Sequence, residues 1–285
     1  MTLDGNRVID AHLHLWDLTV SDYGWLGPQH GPVHATFTAA DAHAHLAAAG
    51  VDAAVLVQAE DSEADTAYLL DQAAGQPWIS GVVGWVALDD PARAARQLER
   101  WRRSPYFRGV RHLVHDDPRD DFLALRPVRD SLRLLAECGI PFDVPDAWPR
   151  HLTATAELAA ALPGLTIVVD HLAKPPRGRD DYPRWREALR EVARRPNTVA
   201  KVSGLQWPDQ PLTAAALRPV WETALELFGP DRLMYGGDWP MTLPYGGYAA
   251  TWRVLAELIA ELAPAERARV LAGTATEVYG IGGPD

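Results

Sequence analysis

Eight short apolar runs rich in Val, Ile and Leu recur along the chain, and longer Ala-, Leu- and Arg-rich stretches with helical spacing separate them. This alternation is the pattern of βα units around a parallel sheet, because neighbouring parallel strands must be joined by a crossover and the crossover is normally a helix. The runs are Val8–His12, Val51–Val57, Ile79–Val86, Phe107–Val114, Ile140–Val144, Leu165–Asp170, Thr198–Ser203 and Arg232–Gly236. Helical candidates include Thr38–Gly50, Pro91–Trp101, Leu125–Cys138, Leu152–Ala161, Trp185–Arg194, Ala214–Phe228 and Tyr248–Leu262, several with Pro or Thr at the start. Eight such units predict an α/β chain closed into a (β/α)8 TIM barrel, as one domain over residues 1–285. Ala263–Tyr279 is expected as an extra C-terminal helix against the outside of the barrel, and Asp17–Pro32 as a long loop covering a pocket.

Composition narrows the partners. The chain carries 38 acidic against 27 basic residues, a formal net charge of −11, which argues against binding nucleic acid or an anionic membrane and for small-molecule ligands. No apolar run approaches the roughly 18 residues of a membrane span, and the N-terminus enters a strand without a basic-then-apolar leader. Cys138 is the only cysteine, which excludes an internal disulfide; it is expected to pack as a small apolar group in a helix. A cytoplasmic protein is expected, with homo-oligomer formation left open.

In a barrel of this kind the residues just past each strand stand on one functional rim. The first strand runs into His12-Leu13-His14. Side chains two apart on a strand share a face, so both imidazoles aim at one point, where they can hold a metal or a polarised oxygen. A second pair, His43-Ala44-His45, lies in a helical run where residues two apart diverge, and it is expected to be structural. Strand 6 delivers Asp170-His171, and strand 8 delivers Gly236-Gly237-Asp238-Trp239-Pro240. Taken singly, a histidine after an apolar strand is often a satisfied core group, and an aspartate between Gly and Trp-Pro is often a turn former. In a closed barrel, however, strands 8 and 1 are neighbours, so His12, His14, His171 and Asp238 converge.

The segments Ile9–Asp17, Tyr23–Leu26, Arg108–His112, Val169–Pro175, Lys201–Leu205 and Asp231–Pro240 resemble those of the amidohydrolase superfamily. Within it they are similar to the lactonase group of sugar lactonases and 2-pyrone-4,6-dicarboxylate lactonase, and Ala272–Ala275 resembles that family's closing helix. The resemblance runs nearly end to end and implies hydrolysis of a small lactone. It implies that Asp238 matches the general base, His12 and His14 the first-strand metal-binding pair, and His171 the sixth-strand histidine. One departure stands out. Binuclear members carry a bridging Lys or Glu after strand 4 and a His after strand 5, whereas Arg111-His112 and Asp146 occupy those neighbourhoods here. This argues against a two-metal centre and leaves one divalent cation, such as Zn2+ on His12, His14 and Asp238, or catalysis without metal.

Ester hydrolysis itself asks for an activated water, charge stabilisation at the carbonyl oxygen and a proton for the leaving alkoxide. Asp238 is assigned the proton transfers, and His171 or the His12/His14 pair the polarisation, directly or through one cation. A carboxylate with a reference pKa of about 3.9 is a weak base unless its site shifts it or a metal acidifies the water. For substrate contacts the reading selects Trp25, Arg111, His112, Lys174 and Trp239, with Trp85, Trp148, Trp207, His115, Gln58, Ser203 and Gln206 as further rim groups. A small aldonolactone is favoured. The alternatives are a metal-dependent decarboxylase of the same superfamily, acting on an aromatic or unsaturated acid, and a non-catalytic carbohydrate-binding barrel.

Overall fold

A computed structural model describes residues 5–282. Strands β1 (Ile9–Leu13), β2 (Ala53–Val57), β3 (Ile79–Gly84), β4 (Phe107–Arg111), β5 (Phe142–Val144), β6 (Ile167–Val169), β7 (Thr198–Val202) and β8 (Leu233–Tyr235) pair in sequence order, and every ladder is parallel. Past β8 the chain turns back onto β1. Asp238 N–H donates to His12 O at 2.8 Å and His14 N–H to Trp239 O at 2.8 Å, so the bonds that complete the ring also set Asp238 beside the two histidines.

Helices α1 (Ala39–Ala49), α2 (Glu63–Gly75), α3 (Pro91–Trp101), α4 (Arg126–Glu137), α5 (Leu152–Ala161), α6 (Tyr182–Ala193) and α7 (Ala214–Phe228) fill the crossovers, and α8 (Gly247–Ile259) follows β8. Their ends follow local chemistry. Thr38 caps α1 by accepting from Asp41 N–H while the Asp41 carboxylate accepts from Thr38 N–H, and Ser62 caps α2 through Asp65 N–H. Cys138, at the end of α4, is half-buried against the apolar layer between strands and helices. Among the described residues no helix is long and apolar enough to cross a membrane.

The C-terminal segment corrects one expectation. Helix α9 (Pro264–Ala268), a single π turn (Arg269–Gly273) and helix α10 (Thr274–Tyr279) do not lie on the barrel's flank. Ala272, Ala275, Tyr279 and Ile281 pack instead with Ile9, Ala11, Val55, Val83, Val168, Val199 and Met234, the residues that line the barrel's interior. The segment is therefore a floor. A barrel lined by small and β-branched residues leaves its lower end unfilled, and a phenol fills it: Tyr279 passes so close to Gly109 that a Cβ there would stand 3.3 Å from its ring.

Candidate active site

The register between β1 and β2 shifts between Asp10 and Leu13, where the strand's side chains change their alternation. Asp10 fastens the seam of the barrel. Its Oδ1 accepts from Gly237 N–H (2.7 Å) and His12 N–H (3.0 Å), and its Oδ2 accepts from Tyr248 Oη–H (2.9 Å). Gly237 is required there, since a Cβ would stand 2.4 Å from Asp10 Oδ2.

Above this seam His12 Nε2 and His14 Nε2 lie 3.1 Å apart. The Nδ1 of His14 is 2.7 Å from Val57 O; a carbonyl only accepts, so Nδ1 carries the proton and Nε2 presents its lone pair to the site. His12 Nδ1 sits 3.3 Å from both Asp170 Oδ1 and Lys201 Nζ, and His171 Nδ1 is 2.9 Å from Ser203 Oγ. Burial holds all three imidazoles well below the usual histidine range, helped by Lys201 at His12, by Arg111 at His14 and by His12 at His171. Burial thus favours the neutral form, in which imidazoles ligate metals.

Asp238 faces these rings. Its Oδ1 lies 3.7 Å from His14 Nε2 and 4.0 Å from both His12 Nε2 and His171 Nε2, while Oδ2 accepts from Gln206 Nε2–H at 2.8 Å. Burial pushes its carboxyl up to about 7, against the opposing pull of Lys174 and Gln206. Two neutral imidazole nitrogens and one carboxylate oxygen, all within 4.8 Å of one another, make a donor set suited to a borderline ion such as Zn2+, with the cavity side open for a further ligand.

Backbone strain gathers at the same place. Asp238 has φ of 52°, and the four residues that follow Asp170 past the end of β6, His171 to Lys174, have φ of 56°, 51°, 60° and 59°. Left-handed L residues cost about 1–2 kcal/mol each and rarely follow one another; such strain persists where the surrounding structure over-determines it, often at functional sites. Lys174 Nζ donating to Gly204 O (2.9 Å) pins the far end of this turn. Gly204 itself admits the imidazole, because a Cβ there would lie 2.3 Å from His171 Nδ1.

Beneath the histidines runs a buried charged layer whose pairing the sequence did not show, although Arg111 is expected as a substrate contact and Asp170 and Lys201 as strand-end groups. Lys201 Nζ is 2.6 Å from Asp143 Oδ2 and 3.1 Å from Asp170 Oδ1; Arg111 Nη1 is 3.5 Å from Asp170 Oδ2 and its Nη2 donates to Gln58 O. Tyr279, from the floor, donates to Asp143 Oδ2 at 2.8 Å. Two cations thus meet two carboxylates, which is how fully buried charge is tolerated. Although burial opposes it, Lys201 holds the Asp170 carboxyl well below the ordinary range.

The site opens into a cavity of about 320 Å³. Of the residues selected from sequence, His14, His171, Asp238, Trp25, Arg111 and Lys174 line it, and His12 lies just beneath. Two selected residues do not line it. His112 stacks on Phe122 with ring centroids 4.1 Å apart and sits between Asp61 (3.1 Å) and Asp117 (3.4 Å), while Trp239 packs against Phe37 and His45. Trp85, Trp148 and Trp207 likewise seal loops through their indole N–H groups, donating to His112, Asp181 and Pro175. The expected covering loop supplies Trp25 and His30, and the end of β5 supplies Asp146 in place of a histidine.

The amidohydrolase family model matches residues 9–281. L-fucono-1,5-lactonase of Burkholderia ambifaria is 34% identical over 283 residues, spanning 97% of this chain and 96% of its own, and the protein of the same name from Burkholderia multivorans is 34% identical over 295 residues, spanning 97% of each. A crystal structure of a Burkholderia multivorans amidohydrolase with bound Zn superposes with a TM-score of 0.87 at 31% identity, covering 97% of this chain and all of that one. The match runs from the first barrel strand through the C-terminal floor, and on that ground the chain belongs to the amidohydrolase family.

Proposed function

We propose that this enzyme opens the ring of a neutral aldono-1,5-lactone, the class of compound after which its two Burkholderia relatives are named. The observation that carries the mechanism is the placing of Asp238 Oδ1 within 4.0 Å of three imidazole nitrogens at the wall of the cavity. Asp238 takes the proton from the attacking water. With burial pushing its carboxyl up to about 7, it can both accept that proton and release it near neutrality. The water oxygen bonds to the lactone carbonyl carbon, the ring C–O bond breaks, and protonated Asp238 returns the proton to the leaving alkoxide, giving an open-chain hydroxy acid.

His171, oriented by Ser203, and His14, oriented by Val57 O, stand where charge develops on the carbonyl oxygen. His12, His14 and Asp238 would hold one divalent cation, whose chemistry when bound is to polarise the carbonyl and acidify water.

The pocket favours a neutral substrate over a dicarboxylate. Three carboxylates, Asp116, Asp146 and Asp238, line it, and the Arg111 guanidinium is committed to Gln58 O and Asp170. The lactonase reading is favoured over a decarboxylase by the two full-length relatives, both lactonases, and over a binding-only barrel by a buried aspartate pushed up to about 7, which pure binding does not require. The test is Asp238→Asn: acid release from aldono-1,5-lactones is expected to fall about a thousandfold, and retention of most of the rate would reject the assignment.

A further inference from the structure

Two residues of the cavity wall, Asp146 and Gln206, each carry a buried acceptor atom, Oδ1 and Oε1, that has no donor partner among the described residues. Their orientation is set by what surrounds them. The Gln206 nitrogen is committed to Asp238 Oδ2 at 2.8 Å, and since a carboxylate only accepts, the atom left over is the amide oxygen. Asp146 stands two residues past β5, on backbone with φ of 42°, in the neighbourhood where binuclear relatives would place a histidine. Burial opposes its ionisation, but Lys174, His171 and His115 together hold its carboxyl below the usual value. A buried acceptor without a donor costs stability unless a ligand supplies one. The missing partners are therefore donors, and hydroxyl groups are the donors that a sugar lactone brings.

We infer that Asp146, with Gln206 beside the reacting centre, reads adjacent hydroxyl groups of the substrate and so confines the enzyme to neutral polyhydroxylated lactones. The inference rests on the lactonase reading and deepens it. A carboxylate has two oxygens and can accept from two neighbouring hydroxyls, and the amide oxygen can accept from a third. A pyrone dicarboxylate brings acceptors and negative charge to the same wall, leaving both atoms unpaired and setting anion against anion.

Wild type, Asp146→Asn and Asp146→Ala are to be assayed on the aldono-1,5-lactone and on δ-valerolactone, which has the ring ester and no hydroxyls. For Asp146→Ala the aldonolactone kcat/KM is expected to drop about tenfold to a hundredfold, through KM. Because Asp146 also helps push the Asp238 carboxyl up, the readout is the preference: the δ-valerolactone rate should fall severalfold less than the aldonolactone rate. Asp146→Asn, which keeps one acceptor and the side-chain shape, should fall between. An equal loss on both lactones, or an unchanged preference for the hydroxylated one, would overturn the inference. Calorimetric binding of the corresponding aldono-1,5-lactam separates the two readings. Wild type that binds the lactam but opens no lactone would remove the lactonase reading; weaker lactam binding by Asp146→Ala would still uphold the hydroxyl reader, and equal binding would dismiss it.

Discussion

The chain carries the tripeptide pattern His-x-His twice, and the two copies share nothing beyond spelling. At the end of β1, His12 and His14 are buried with their Nε2 atoms 3.1 Å apart, each ring fixed through its Nδ1 by neighbouring groups. On α1, His43 and His45 are exposed; His43 stacks on Trp78 at 5.6 Å, and His45 lies against Trp239 and Tyr248. The difference is backbone period. Two residues advance a strand by one full repeat and a helix by little more than half a turn, so only the strand brings the rings together. Chemistry here belongs to the strand end, and to the contacts that fix each ring once it is there.

Alanine at His12 or His14 is the most direct way to break that contrast. Lactone hydrolysis should fall by about a thousandfold, while His43→Ala and His45→Ala should leave kcat/KM within about twofold. Comparable losses from both pairs would show that spacing, not backbone, had been the signal. Lys201→Met probes what lies beneath the first pair. It strips two buried carboxylates of their shared cation, so chemical denaturation should show a loss of about 3 kcal/mol or more; a neutral result would mean the charged layer carries no structural weight.

The pH response sharpens the contrast between a tuned site and an exposed pair. The kcat/KM profile should rise with pH through an acidic limb at about 7, the value to which burial pushes Asp238, and a cation held by Asp238 would favour its ionised form and move the limb lower. Stability runs the other way. A folded-state pKa above the unfolded one means that the folded protein holds the extra proton, so ionising Asp238 costs stability as pH rises from about 4 to about 7. In chelator-treated protein Asp238→Asn should therefore melt above wild type at pH 8, with the gap closing below about pH 4. Among the residues that build the tuned site, the smallest effect is expected from Tyr279→Phe. Loss of its bond to Asp143 Oδ2 slackens the layer that seats His12, which should lower kcat about tenfold with KM within about twofold. A change in KM alone would place Tyr279 outside this chain of contacts.

Much of the rim was legible because strand ends follow from hydrophobic runs: His12 ends the first run, His14, His171 and Asp238 sit just past theirs, and closure of the barrel makes the four meet. The charged layer was not. Asp143, Lys201 and Tyr279 come from β5, β7 and the C-terminal floor, and no local pattern signals a contact across 136 residues. The floor was misplaced for the same reason, since helical periodicity shows that a face is apolar without showing what it packs against. His112 and Trp239 have rim positions in sequence but turn away from the cavity, into a carboxylate clamp and an aromatic cluster. Asp146 was read only as the absence of a histidine. That β5 is three residues long and turns through Asp146 in a left-handed conformation is decided by packing rather than by propensity.

Acid release from a six-carbon aldono-1,5-lactone, compared with ring opening of 2-pyrone-4,6-dicarboxylate by the same metal-analysed protein, tests the central claim most directly. The geometry predicts that kcat/KM for the neutral lactone exceeds that for the dicarboxylate by about a hundredfold or more. Preference for the dicarboxylate, or opening of neither ring, would contradict it.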